Sequence, residues 1–319
     1  MNLTWKKVRL ELKHPWTLAR GTSDFKEYWF VELEEDGLIG FGEAAHNVRY
    51  GESLESVEEY FINGAVGVGP AAARAAVDVA RHDLAGKKLG KPVFQLLGID
   101  ARELAPTSYS IGIDSLEMVK SKIAESGEFK ILKIKLGGDN DEEVMQAVRE
   151  VTDKVVRIDA NEGWKDREFA LRRIEWLADL DVEFVEQPMP AGNLEDLVWL
   201  KERSPLPLVA DEDACSLGDL PGLADAYDGI NVKLMKAGGI APAHEMILAA
   251  RELGLKVMLG CMIESSLGIS AAVHLAPLAE WIDLDGHLLV RDDPFGGLAC
   301  VGGRLVLPTG AGLGVIPMA

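Results

Sequence analysis

The sequence predicts an α/β fold, a (β/α) barrel preceded by a smaller α+β capping domain, and three observations carry that prediction. From Leu104 onward, short β-branched or aliphatic runs alternate with amphipathic stretches, the pattern of consecutive parallel βαβ units. The polar residues that end successive runs, Lys135, Asp159, Glu186, Asp211 and Lys233, are separated by 24, 27, 25 and 22 residues, each the length of one βα unit. The chain has 319 residues, whereas a barrel of this kind uses about 250. The surplus fits one further small unit.

Taken in order, residues 2–13 and 28–34 read as strands, and the Glu35-Asp36-Gly37 turn before 38–42 predicts a hairpin joining the second strand to a third. A helix follows Ser53, with Val57, Tyr60 and Phe61 on one face. A second starts at Pro70, a residue suited to a first helical position, and runs through alanines to Leu84. Residues 106–113, 131–136, 155–159, 183–186, 206–210, 229–234, 256–259 and 281–284 are the eight barrel strands. Between them, Val144, Val148 and Val151, and Ala170, Ile174 and Leu177, recur at helical spacing. The expected division is a capping domain at 1–100, a barrel at 101–291 and a tail at 292–319, with a short strand at 304–307, that packs back on the first domain.

Composition narrows the function. Thirty-three basic against 52 acidic residues leave a net charge of -19, the wrong sign for a chain that must neutralise phosphates, so nucleic acid and anionic membrane are excluded as partners. Cys215, Cys261 and Cys300 are far apart and lack CxxC spacing, which suits a reducing compartment. The first twelve residues have no signal-peptide core, so a cytoplasmic location is expected. Six histidines show no metal-ligand spacing, and Gly137-Gly138 and Gly238-Gly239 lack the remainder of a phosphate-binding motif. No nucleotide is expected. Oligomeric state is left open, a homo-oligomer included.

The carboxyl ends of barrel strands meet at one face, so the five polar residues converge. Asp159, Glu186 and Asp211 end three successive strands, and three carboxylates aimed into one cavity repel one another unless a cation lies among them. Each alone would serve equally as a loop cap. Three in register on rigid strands point to a hard divalent cation, Mg²⁺. In Leu132-Lys133-Ile134-Lys135, period two sends both lysines to the same face. Their repulsion, helped by a nearby Mg²⁺, is expected to favour a neutral amine able to act as a base. Lys233 ends the sixth barrel strand and Lys135 the second, diametrically opposite in an eight-strand ring. A carbon held between them presents one face to each, the geometry of stereochemical inversion.

The ordered set Lys-x-Lys, Asp, Glu, Asp, Lys resembles the enolase superfamily, and within it the muconate-lactonizing-enzyme subgroup, over nearly the whole chain. The barrel would then be of the enolase C-terminal type. Superfamily sites with lysine bases and Mg²⁺ stabilising an ene-diolate are an established pattern, so that mechanism follows from the resemblance. Asp283 and Asp285 in Trp281-Ile282-Asp283-Leu284-Asp285-Gly286 resemble the pair with which dipeptide epimerases, of the L-Ala-D/L-Glu type, hold a substrate ammonium. Residues 18–22 resemble a mobile substrate-covering loop, in which Arg20 stands where an arginine meets a glutamate side chain. Residues 260–264, with Cys261, resemble the segment after strand seven, and Ser110 a substrate-contacting hydroxyl on strand one. Glu264 is an alternative determinant of side-chain preference.

The resemblance therefore implies an isomerase: a dipeptide epimerase of murein peptide metabolism with one Mg²⁺ per subunit on Asp159, Glu186 and Asp211. Lys135 and Lys233 would exchange the proton, with Lys233 serving the L-configured isomer. Lys133 would assist, and Arg20, Ser110, Lys133, Cys261, Asp283 and Asp285 would bind the dipeptide. The rival readings are an N-acylamino acid racemase, an o-succinylbenzoate synthase, a cycloisomerase, or a barrel that binds Mg²⁺ without catalysis.

Overall fold

The computed structural model describes residues 1–18 and 21–318. An antiparallel sheet opens the chain: β1 (Asn2–Leu18), β2 (Gly21–Glu35) and β3 (Leu38–Ala44), in that order. The first two strands are longer than expected. Their register runs from Asn2 opposite Glu34 to Glu11 opposite Phe25, shifts, and resumes at Trp16 opposite Ser23, so residues 14–18 and 21–27 form an extended arm rather than a plain loop.

Helix α1 (Leu54–Ile62) begins with Ser53 in a reciprocal capping box with Ser56. Helix α2 (Ala71–Leu89) buries Ala72, Ala73, Ala76 and Ala80. Small residues let its backbone approach β3 so closely that a side chain at Gly40 or Gly42 would collide with the carbonyls of Ala80 and Ala76. Sequence and packing agree here: alanine on one element requires glycine on the other.

Eight parallel strands follow: β4 (Ser108–Ile111), β5 (Ile131–Lys135), β6 (Val155–Asp159), β7 (Val182–Glu186), β8 (Leu208–Ala210), β9 (Gly229–Lys233), β10 (Lys256–Gly260) and β11 (Trp281–Asp283). They are hydrogen-bonded in sequence order, and a Thr107–Ile282 bridge brings the last strand against the first. Side chains reinforce this seam. Thr107 Oγ1 accepts the Leu284 N–H at 2.9 Å, and Ser108 Oγ donates to Asp283 at 2.5 Å. Below the polar mouth, Phe184, Val209, Met258 and Trp281 form a separate apolar cluster within the ring, as filled barrel interiors require.

The two units interlock through carboxylates of the first that cap helices of the second. Asp78 on α2 accepts the N–H groups of Ile240 and Ala241 at 2.6 and 3.2 Å, at the start of the Ile240–Glu252 helix, which has no side-chain cap of its own. Glu43 on β3 accepts from Ser265 and Gly268 at the start of the Ser266–Val273 helix. Exposed backbone N–H groups at a helix start, with their partial positive charge, favour such anions. Arg49 adds a bidentate pair to Glu162, with bonds of 2.8 and 2.7 Å.

The tail contributes Phe295, stacked on Phe30 at 6.1 Å and edge-on to Phe41 at 5.4 Å. Phe295→Ala is expected to cost about 3–5 kcal/mol of unfolding free energy, the range for deleting a buried aromatic, as read by urea denaturation. No helix among the described residues is long and apolar enough to cross a membrane.

Candidate active site

Pairing puts the chemistry in register. Lys135 lies opposite Asp159 and Asp159 opposite Glu186, while Asp211 directly follows β8 and Lys233 ends β9. The carboxylates of Asp159, Glu186 and Asp211 are buried, and each offers an oxygen within 4.8 Å of the others. Glu186 Oε1 accepts from Asn231 Nδ2 at 2.7 Å, whereas Glu186 Oε2 has no partner in hydrogen-bonding alignment, although Lys133 Nζ stands 2.6 Å away. A buried anionic set with an oxygen left over fits a hard cation.

The two outer lysines lean on this set from opposite sides. Lys135 Nζ lies 2.5 Å from Asp159 Oδ2 and Lys233 Nζ 2.8 Å from Asp211 Oδ2. Their strands, β5 and β9, are four apart in the ring of eight, so the predicted opposition holds. Burial pulls Lys233 toward the neutral amine, but Asp211, Glu186 and Tyr50 outweigh it and hold its pKa well above the ordinary lysine value.

Lys133 is the most buried of the three lysines. Both lysines of Lys-x-Lys do face inward, yet Lys133 is wedged among Asp159 at 3.1 Å, Glu186 at 2.6 Å and Asp283 at 2.7 Å. Burial opposes its charge, but those carboxylates prevail and raise its pKa well above the usual value. These carboxylates, more than the neighbouring lysine, set its affinity for the proton. The anions nearby outnumber the cations.

Asp283 and Asp285 both line the cavity. Asp285 accepts the Ser110 N–H at 2.5 Å and its hydroxyl at 3.2 Å, and burial together with the neighbouring Asp283 pushes its pKa up to about 7. Cys261 also lines the cavity, its thiol donating to the Asp283 carbonyl at 3.3 Å. Glu264 does not line it: this buried side chain accepts the Met262 N–H at 2.8 Å, and burial and Glu43 raise its pKa to about 8. Arg20 lies outside the described residues.

Sequence reasoning passed over several residues that the fold brings here. Gln187 is buried and accepts the Asp211 and Asp213 N–H groups while donating to Met189 and Tyr227, tying the end of β7 to that of β8. Tyr50, from a turn of the capping domain, lines the cavity and raises the charge affinity of Lys233. Lys236 is buried and donates to Asp211 Oδ1 at 2.6 Å, to the Asp211 carbonyl at 2.6 Å and to the Asn231 carbonyl at 3.0 Å. It fixes one Asp211 oxygen so that the other faces the site. Partners that orient a metal ligand are worth about 10–100-fold in metal affinity, and Lys236→Met is expected to lose that much in Mg²⁺ binding measured by calorimetry.

Comparison with known proteins places this arrangement. A family model described as enolase C-terminal domain-like matches residues 114–318, and one for the N-terminal domain of mandelate racemase / muconate lactonizing enzyme matches residues 53–98. The chain belongs to the enolase superfamily. This superfamily member is 40% identical to the L-Ala-D/L-Glu epimerase of Bacteroides thetaiotaomicron, over 99% of its own length and 88% of that protein. The substrate-liganded L-Ala-D/L-Glu epimerase from Bacillus subtilis superposes with a TM-score of 0.93 at 30% identity, covering 100% of this chain and 99% of that one. A dipeptide epimerase from Methylococcus capsulatus, complexed with Mg and L-Arg-D-Lys, superposes with a TM-score of 0.88 at 30% identity, covering 99% of each.

Proposed function

We propose that the protein is a dipeptide epimerase that inverts the α-carbon of the C-terminal residue, with L-Ala-D/L-Glu or a related dipeptide as substrate. The observation that carries this reading is the placement of Lys135 and Lys233 on opposite sides of one carboxylate triad, with Asp283 and Asp285 at the rim. Asp159, Glu186 and Asp211 would hold Mg²⁺, which supplies positive charge to the substrate carboxylate as negative charge develops on it. With those carboxylates shared with a cation, their hold on the lysines as ammonium ions would weaken; one lysine would accept the α-proton and the other would donate from the far side. Lys133 remains a fixed donor beside the carboxylate.

Asp285, raised to about 7 next to Asp283, would gain from a neighbouring cation, and the substrate ammonium would supply one. Free thiols at Cys215, Cys261 and Cys300 suit a cytoplasmic enzyme, and peptides released from murein are the substrates in view. Incubating the enzyme with dipeptides in deuterium oxide tests the reading: deuterium enters at the C-terminal α-carbon with inversion. A cycloisomerase or synthase would leave those dipeptides unlabelled.

Asp285→Asn is expected to raise KM by about 10–100-fold, the worth of a hydrogen bond between charged groups, with little change in Mg²⁺ affinity. N-acetylated dipeptides are expected to be poor substrates. Steady-state kinetics on free and acetylated pairs separates this assignment from an N-acylamino acid racemase, for which acetylated forms would be turned over as well or better.

A further inference from the structure

An enediolate is planar at its α-carbon, so with Lys135 and Lys233 above and below, the three remaining substituents lie in the plane between them. The carboxylate points to the triad on β6 to β8. The amide nitrogen, leading to the ammonium, points toward Asp283 and Asp285 on the β11 side. The side chain of the reacting residue must leave by the remaining direction, toward the capping sheet that covers the barrel mouth.

That wall of the cavity, which has a volume of about 500 Å³, carries Lys26, Tyr28 and His46. Lys26 lies opposite Leu10 in the β1–β2 register and two residues from Tyr28. Period two therefore puts Lys26 on the same side of the sheet as Tyr28, a buried residue. Lys26 is half-buried, and burial lowers its pKa. The other lysines of the cavity, Lys133, Lys135 and Lys233, are each within 4 Å of a carboxylate, but among the described residues Lys26 has none. Beside it, His46 packs edge-on against Tyr28 at 5.6 Å, and its Nδ1 is buried without a hydrogen-bond partner. A half-buried cation and an orphaned imidazole nitrogen are polar groups lacking the ligand that would satisfy them.

We propose that Lys26, assisted by His46, is the specificity-determining cation of the side-chain subsite and selects dipeptides whose C-terminal residue carries a carboxylate. This inference rests on the epimerase reading and deepens it. A carboxylate of glutamate or aspartate would accept from Lys26 Nζ and from His46 Nδ1 in its protonated tautomer, pairing the unmatched groups in one contact. A neutral side chain would leave both unpaired.

The test compares wild type, Lys26→Met, Lys26→Glu and Arg20→Met, each loaded with Mg²⁺, on L-Ala-L-Glu, L-Ala-L-Gln, L-Ala-L-Leu and L-Ala-L-Lys. In wild type, L-Ala-L-Glu is expected to be preferred. Lys26→Met should lower kcat/KM for L-Ala-L-Glu by about 10–100-fold, mainly through KM, with L-Ala-L-Leu unchanged. Lys26→Glu should shift preference toward L-Ala-L-Lys. Equal losses on all four dipeptides, or discrimination that disappears in Arg20→Met while surviving in Lys26→Met, would overturn the assignment. A wild type that epimerizes L-Ala-L-Leu as well as L-Ala-L-Glu would overturn it too while leaving the epimerase reading intact. Failure of the wild type on every dipeptide would remove the epimerase reading itself.

Discussion

Lys233→Ala is expected to abolish epimerization in both directions while still exchanging the α-proton of one substrate isomer with solvent deuterium. Lys135→Ala should do the same for the other isomer. The reason is positional: Lys135 reaches in from β5 beside Asp159, and Lys233 from β9 beside Asp211. Each can touch only its own face of the bound carbon. A positioned acid or base contributes about 10²–10⁴-fold, and inversion needs both in succession, so the loss of inversion should exceed the loss of one-sided exchange by at least that factor. By resemblance to the superfamily, the L-configured isomer is expected to be the one that faces Lys233. Each variant is incubated with both diastereomers in deuterium oxide, and the α-proton signal is followed by NMR. A lysine variant that still inverted at the wild-type rate would defeat the two-base scheme.

Removal of the cation, by chelation or by Asp159→Asn, Glu186→Gln or Asp211→Asn, is expected to eliminate nearly all turnover, with excess Mg²⁺ restoring the substituted enzymes only in part. The three acids are not equivalent. Burial opposes ionisation of all of them, but Lys135 and Lys133 hold Asp159 down to about 2, whereas burial and the adjacent Asp159 push Glu186 up to about 7. A metal ligand must be deprotonated, so the proton on Glu186 competes with Mg²⁺ below pH 7. Apparent affinity should therefore fall by about tenfold per pH unit as pH drops below 7, and level off above it. Calorimetric titration at pH 5.5, 6.5 and 8 checks this, and a flat profile would remove Glu186 from the ligand set. Glu186→Gln should abolish the slope along with most of the affinity.

Much of the fold and of the reacting set was legible because it depends on short-range periodicities. Alternation at period two sends Lys133 and Lys135 to one face, and one βα unit per repeat brings Asp159, Glu186 and Asp211 to the ends of neighbouring strands. All eight strands lie within two residues of their predicted bounds at each end; β4, at Ser108–Ile111 against 106–113, is the one trimmed by two at both ends. The extended β1–β2 arm was read short because residues 14–18 and 21–27 mix Pro, Gly and polar residues, and pairing across the hairpin rather than local propensity makes them strands.

What the sequence by itself determined is the order of chemical groups around the ring, since strand parity and repeat length are local properties of the chain. Only the tertiary structure decided their charge states and their supports. Closing the seam brings Asp283 against Lys133, 150 residues away, and this raises the lysine's affinity for its proton. Folding likewise sets Lys236 under Asp211, Asp78 and Glu43 at the starts of barrel helices, and Lys26 over the cavity mouth with no carboxylate within 4 Å among the described residues. An isolated lysine or acid in a sequence has the same chemistry wherever it stands. Its pKa, its partner and its role come from which distant charges the closed barrel and its cap bring within a few ångströms, and from how much water they leave between them.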